Sequence, residues 1–258
     1  MSALTVSIVQ EDLHWHDANL NREQFSTVLH ELQEHTDLIV LPEMFTTGFT
    51  MDAAAYAESM DGVSVTWMKE MAADKNASIC GSLIIAENNE FYNRFVCVNP
   101  RGELVSYDKR HLFRLADEQQ HFAAGDKIIT FEINGWRICP MVCYDLRFPA
   151  WSRNRDNYDL LLYVANWPGR RHYAWESLLR ARAIENLSYV VGVNRTGVDG
   201  NDIPYTGGSA IIDYFGKELA NLNNETGIVT RKLDFDSLQK FREHFAFHKD
   251  ADEFSIVV

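Results

Sequence analysis

The sequence predicts an α/β protein with mixed β-sheets, two sheets packed face to face, and helices covering their outer faces. Strand-length apolar runs alternate with segments of helical period along the whole chain. Hairpin turns at Asn88-Asn89 and Asn134-Gly135 add antiparallel strands, so the sheets are mixed. The strands are too many and too long for one small sheet, which favours two. Nothing along the 258 residues resembles a linker, a repeat or a low-complexity tract, so residues 1–258 are expected to form one domain.

"ALTVSIVQ" reads as a buried strand, and "NLNREQFSTVLHELQEHT" as an amphipathic helix with Phe25, Val28, Leu29 and Leu32 on one face. "DLIVLPE" is a second buried strand stopped at Pro42, and "VSVTWMKEMAADKN" a second helix. "ASICGSLIIAE" and "FYNRFVCVNP" pair as a hairpin, and "GELVSYDKRHLF" adds a strand. "KIITFEINGWRICPMVC" is a second hairpin. "FPAWSRNRD" is expected to form a short helix, followed by the strand "YDLLLYVANW", the helix "YAWESLLRARAIEN" and the strand "LSYVVGVNRTG". "GGSAIIDYF" and "GIVTRKLDF" are strands, and "DSLQKFREHF" closes with a helix.

Composition excludes several functions. The formal net charge of −13 works against nucleic acid and acidic membrane surfaces, which need a basic face. The N-terminus has no signal-peptide pattern and no apolar run reaches bilayer length, so a cytoplasmic protein is expected. In that compartment Cys80, Cys97, Cys139 and Cys143 stay reduced. No second Cys or His pair completes a zinc set, and no metal or cofactor is expected.

Three chemically able residues fall where buried strands end. Glu43 closes "DLIVLPE", Lys109 follows "ELVSYD", and Cys143 closes "WRICPMVC". In α/β folds such strand ends gather into sites. Each has a plain structural alternative: a core thiol for Cys143, a loop acid for Glu43, a solvated charge for Lys109. Cys80 and Cys97 are read as core.

The segments "LPEMFTTGF", "YDKRHLF" and "CYDLRFP", in this order, resemble the three motifs of the nitrilase (carbon–nitrogen hydrolase) superfamily. "SIVQ", "NWP", "RARAIEN" and "VNRTG" extend the resemblance over nearly the whole chain. It implies a four-layer αββα sandwich, which agrees with the pattern above. It also implies roles: Glu43 as general base, Lys109 as oxyanion-stabilising cation and Cys143 as nucleophile. Glu118 resembles a second glutamate of many members, although Asp117 is adjacent. One departure is Ala150, where many relatives carry an acid.

These residue types suit amide cleavage. An amide carbon is a poor electrophile, and a free cysteine is only slightly ionised at neutral pH, so a neighbouring carboxylate must take the thiol proton. A fixed ammonium and a backbone N–H, with Tyr144 the candidate amide, can stabilise the oxyanion. "NWPGRRHYAW" is expected beside Cys143, where Arg170 or Arg171 could bind a substrate carboxylate. Phe45, Phe113 and Trp167 are candidate pocket aromatics, with core packing as the alternative. His111 reads as a structural histidine, and Arg180, Arg182 and Glu185 as ion pairs or interface contacts.

Within the superfamily, "CYDLRFP", "NWP" and "ARAIENLSYVVGVNRTG" look most like the ω-amidase branch. That implies hydrolysis of 2-oxoglutaramate and 2-oxosuccinamate to the 2-oxo diacid and ammonia. It also implies a homodimer with the C-terminal segment, about residues 236–258, near the interface. The alternatives are another carbon–nitrogen hydrolase (acting on an N-carbamoyl compound, an aliphatic amide or a nitrile), a non-catalytic partner-binding protein, and a redox thiol at Cys143.

Overall fold

The computed structural model describes residues 3–155 and 157–257. In chain order the elements are β1 (Leu4–Gln10), α1 (Ala18–Glu31), β2 (Leu38–Val40), α2 (Ala53–Tyr56), α3 (Val63–Lys75), β3 (Ser78–Glu87), β4 (Glu90–Val98) and β5 (Leu104–Asp108). There follow β6 (Phe131–Ile133), β7 (Trp136–Val142), β8 (Leu160–Val164), α4 (His172–Asn186), β9 (Tyr189–Val193), β10 (Thr196–Val198), β11 (Pro204–Thr206), β12 (Ala210–Ile212), β13 (Glu218–Asn221), β14 (Gly227–Leu233) and α5 (Phe235–His244).

Two six-stranded sheets run in the orders β14-β1-β2-β3-β4-β5 and β13-β12-β9-β8-β7-β6. Each has three parallel strands, β1-β2-β3 or β7-β8-β9, flanked by antiparallel neighbours. β5 is antiparallel to β4, which is antiparallel to β3, so β5 ends on the same side as β2. The mixed sandwich expected from the strand and helix pattern is the observed architecture.

Strand alternation assigns side chains to layers. Val6, Ile8, Leu38, Val40, Cys80, Phe95 and Cys97 pack with the β7–β9 strands of the other sheet. Their neighbours Val9, Ile39, Ile79, Val96 and Val98 point the other way, onto Phe25 and Leu29 of α1 and Val65, Met68 and Ala72 of α3. Cys80 and Cys97 are therefore core, as expected. On the second sheet α4 lies close to β9 because Gly192 has no side chain: a Cβ there would sit 2.5 Å from Leu179 Cδ1. α1 starts at Asp17, whose carboxylate accepts the Leu20 N–H at 3.0 Å, an N-cap.

The short helix expected over "FPAWSRNRD" does not form in its described part, residues 148–155; Asp156 lies outside the described residues. Instead a 3₁₀ turn, Cys143–Arg147, ends at Phe148. Trp151 then folds inward, its indole N–H donating to Tyr107 Oη at 3.0 Å. Asn154 pins the chain to Tyr158 and Asn186 through its side chain. Tertiary hydrogen bonds hold the polar groups that a helix would otherwise have paired. α2, β13 and the β10–β11 ribbon were not legible as elements. Among the described residues no helix is long and apolar enough to cross a membrane.

Candidate active site

The carboxyl ends of β2, β5, β7 and β8 deliver Glu43, Lys109, Cys143 and Asn166 to one place between the sheets. Glu43 and Glu118 are fully buried and Lys109 nearly so. The Lys109 ammonium lies 3.0 Å from Glu43 Oε1 and 2.9 Å from each Glu118 oxygen. Glu118 also accepts the Phe113 N–H at 2.5 Å, which ties its 3₁₀ turn to the cluster. Asp117, the neighbouring candidate, is exposed with φ of 57° and stays outside. Gly125 closes the loop beyond: its N–H donates to Lys109 O at 2.9 Å, and a Cβ there would lie 2.1 Å from Asp108 O.

Cys143 is the first residue of the 3₁₀ turn, with φ of 43°; Met44, after Glu43, has φ of 42°. Left-handed backbone at such residues costs about 1–3 kcal/mol each and persists only where the surroundings enforce it. Asp145 is the enforcer at Cys143. Its Oδ2 accepts the Val142 N–H at 3.0 Å and the Tyr107 hydroxyl at 2.8 Å. Its Oδ1 accepts the His111 N–H at 2.9 Å and faces His111 Nδ1 at 2.7 Å. His111 stacks on Phe148 at 3.7 Å and is structural, as read from the sequence. Tyr144 follows Cys143 in the turn, where a backbone N–H has no carbonyl one turn behind it.

Asn166 joins acid and thiol. Its N–H donates to Glu43 Oε2 at 2.7 Å, its side-chain amide donates to Glu43 O, and its carbonyl lies 3.9 Å from Cys143 Sγ. Asn194 in turn clamps Trp167, accepting its N–H at 2.8 Å and donating to its carbonyl at 3.0 Å.

The electrostatics follow from burial. Burial pushes the Cys143 thiol well above the ordinary cysteine range; the Glu43 charge adds to this and the Lys109 ammonium offsets part of it. Burial likewise raises Glu118, against the pull of Lys109. Burial disfavours the Lys109 ammonium, but Glu118 and then Glu43 outweigh it and hold its pKa above the usual lysine range. The resting site is therefore a protonated thiol beside an ammonium held by two carboxyl groups.

Cys143 and Lys109 open into a cavity of about 530 Å³. Of the candidate pocket residues, Phe113, Trp167, Arg170 and Arg171 line it; so does Tyr144, which the sequence suggested only for its backbone N–H. Phe45 does not. It is fully buried in the layer between sheet and α3, edge-on to Phe25 at 5.6 Å and near Trp67 at 5.7 Å, because it points away from Glu43 into the helix-facing core. Arg147, open in the sequence, is a wall residue, its guanidinium 5.0 Å over Trp167; Arg171 sits 4.8 Å over Phe113. Among the described residues no carboxylate lies within ion-pair distance of Arg147, Arg170 or Arg171. Arg182 instead bonds Glu185 and the Leu146 carbonyl, and Arg180 bonds Glu218, so these are structural pairs.

No individual role was read for Asn93, Asn166 or Asp145. Asn166 and Asp145 lie in the segments "NWP" and "CYDLRFP" that carry the family resemblance, and Asn93 is an amide in step with Phe91, Phe95 and Cys97 on one face of its strand.

Residues 5–243 match the carbon-nitrogen hydrolase family. The chain is 46% identical to the omega-amidase YafV of Escherichia coli (strain K12) over 257 residues, covering 99% of this chain and all of that one. It is 34% identical to the 2-oxoglutaramate amidase of Bacillus subtilis (strain 168) over 251 residues, 95% of this chain and 96% of that one. XC1258 from Xanthomonas campestris, a CN-hydrolase superfamily protein with an arsenic adduct in its active site, has a TM-score of 0.97 at 43% identity, with complete coverage of both chains. Saccharomyces cerevisiae Nit3, of the nitrilase superfamily, shares the fold with a TM-score of 0.87 at 23% identity over 94% of each chain. The chain belongs to the carbon-nitrogen hydrolase family.

Proposed function

We infer that this hydrolase is an ω-amidase, cleaving the terminal amide of short 2-oxo dicarboxylate monoamides such as 2-oxoglutaramate and 2-oxosuccinamate. One observation carries the reading. A buried Glu43–Lys109–Glu118 cluster beside Cys143 opens into a cavity lined by Arg147, Arg170 and Arg171, none of which has an ion-pair partner among the described residues. In a chain of net charge −13, these three guanidiniums outnumber the two aspartates of the cavity lining, Asp52 and Asp199, which suits an anionic substrate. The omega-amidase and 2-oxoglutaramate amidase relatives support the same assignment.

The reaction proceeds through a thioester. Glu43 takes the Cys143 proton as sulfur attacks the amide carbon, so the thiolate need never stand free in the buried site. The carbonyl oxygen becomes an oxyanion between the Lys109 ammonium and the Tyr144 N–H. As the C–N bond breaks, Glu43 returns the proton to nitrogen and ammonia leaves. Water, deprotonated by Glu43, attacks the thioester; the diacid departs and the thiol is reprotonated. Glu118 keeps Lys109 in place. Arg171, with Arg170 beside it, binds the remote carboxylate, while Phe113 and Trp167 flank the carbon chain.

The chain works as one domain in the cytoplasm and as a homodimer. An aromatic ridge supports the dimer: Phe215 and Phe247 are 61% and 58% exposed, joined through Phe241 and Phe245 of α5 and its end. Light scattering of the purified protein tests this, a monomer at micromolar concentration being the contrary result.

Activity is tested by ammonia release from 2-oxoglutaramate, 2-oxosuccinamate, glutamine and an N-carbamoyl amine. The 2-oxo monoamides should lead the series. Cys143→Ala should be folded and inactive; turnover by that variant would remove Cys143 from the mechanism.

A further inference from the structure

Asn93 lies on β4, fully buried, with its carboxamide between the two glutamates. Its Nδ2 donates to Glu43 Oε1 at 2.7 Å and lies 3.4 Å from Glu118 Oε1. Its Oδ1 accepts the Ser82 hydroxyl at 2.8 Å, and Ser82 Oγ accepts the Met44 N–H at 2.9 Å. This chain of bonds sets the direction of the amide. A backbone N–H can only donate, so Ser82 turns its single hydrogen toward Asn93. A flipped amide would aim its oxygen at a carboxylate oxygen. Asn93 thus presents N–H groups, never its oxygen, to Glu43.

The consequence concerns which oxygen of Glu43 is open. Oε1 receives two donors, Asn93 Nδ2 and Lys109 Nζ at 3.0 Å, which match its two lone pairs. Oε2 receives the Asn166 N–H at 2.7 Å, and the same residue's carbonyl is 3.9 Å from Cys143 Sγ. We propose that Asn93 is a positioning residue for amide cleavage: with Lys109 it saturates Glu43 Oε1, so that the Cys143 proton passes to Oε2 and returns from Oε2 to the departing ammonia. The S–H bond breaks as the S–C bond forms, and the O–H bond formed on Oε2 breaks as ammonia leaves. Asn93 itself touches no substrate.

This inference rests on Glu43 acting as the base, and the test separates the two. Asn93→Ala should lower kcat by about 100-fold, the scale of a misplaced catalytic group, with KM within about threefold. Asn93→Asp is the sharper variant. Protonated, the introduced carboxyl offers one O–H donor to Glu43 and one carbonyl to Ser82, as the amide does. Ionised, it sets a negative charge against the carboxyl oxygens of Glu43 and Glu118, with only Lys109 and the Cys143 thiol opposite. Its kcat per titratable Cys143 thiol should therefore fall with rising pH relative to the parent, and recover toward it at acid pH. A kcat for Asn93→Ala within threefold of the parent, or an equal loss for Asn93→Asp at every pH, overturns the proposal. If the alanine variant does not fold, the isosteric aspartate decides. Glu43→Gln is assayed in parallel: an active variant removes the base and this proposal together. An inactive one beside unaffected Asn93 variants removes Asn93 alone.

Discussion

Asp145, two residues after Cys143, accepts the backbone N–H of His111, two residues after Lys109, at 2.9 Å. One carboxylate thereby joins the loop carrying the thiol to the loop carrying the ammonium. Its second oxygen holds Val142 and Tyr107, and Tyr107 in turn receives Trp151.

Asp145→Ala should therefore cost both stability and rate. Donors on Val142, Tyr107 and the half-buried His111 would lose their acceptor, at about 1–3 kcal/mol for each buried group left unsatisfied. Urea unfolding should show a midpoint shift equivalent to several kcal/mol, and kcat should fall with little change in KM. A variant with the parent's midpoint and kcat would show that the Asp145 carboxylate is dispensable.

Lys109→Met leaves Glu43 and Glu118 buried without their cation. Removing one partner of a buried ion pair costs about 3–5 kcal/mol, and ammonia release should fall to background. Because the folded pKa of Lys109 is raised, its contribution is complete below the ordinary lysine value and is lost only as pH climbs through the higher folded one. The stability gap between parent and variant should hold through neutral pH. It should narrow in acid, where Glu118, raised by burial, takes up a proton. Unfolding curves across pH measure this; a gap that widens in acid contradicts the arrangement.

Cys143 should be a slow target in the free enzyme. Its thiol pKa is raised by burial and by Glu43, so its thiolate fraction at pH 7 is below that of an exposed cysteine. Iodoacetamide labelling, followed by intact mass, should keep accelerating beyond the usual cysteine range of about 8–9. A rate that levels off below pH 7 would mean a resting thiolate.

Arg171→Met should separate binding from chemistry. Hydrogen bonds to charged groups contribute about 1.5–3 kcal/mol, so KM for 2-oxoglutaramate should rise by roughly 10- to 100-fold. Hydrolysis of an uncharged short amide should change far less. Equal losses on both substrates would place the carboxylate elsewhere, with Arg147 and Arg170 the next variants to measure.

Some of this was legible in the residues alone. Strand and helix periods gave the alternation of elements, because side-chain direction follows local backbone geometry. Glu43, Lys109 and Cys143 stood out because chemically able side chains at the ends of apolar strands are uncommon and their motifs come in order. Glu118 could be named but not separated from Asp117, since both are acids in one loop; an αL turn at Asp117 puts only Glu118 inside. Phe45 was misplaced for a similar reason: one residue of backbone direction decides between cavity and core.

What the sequence by itself determined is the set of layers and the three candidate residues Glu43, Lys109 and Cys143, properties carried by short segments. The tertiary structure alone decided the supporting cast. Asn93, Asp145 and Asn166 are separated in the chain from most of the groups they hold, and a hydrogen bond depends on position in space to a few tenths of an ångström. No local pattern encodes that distance, so their places emerge only when the two sheets meet.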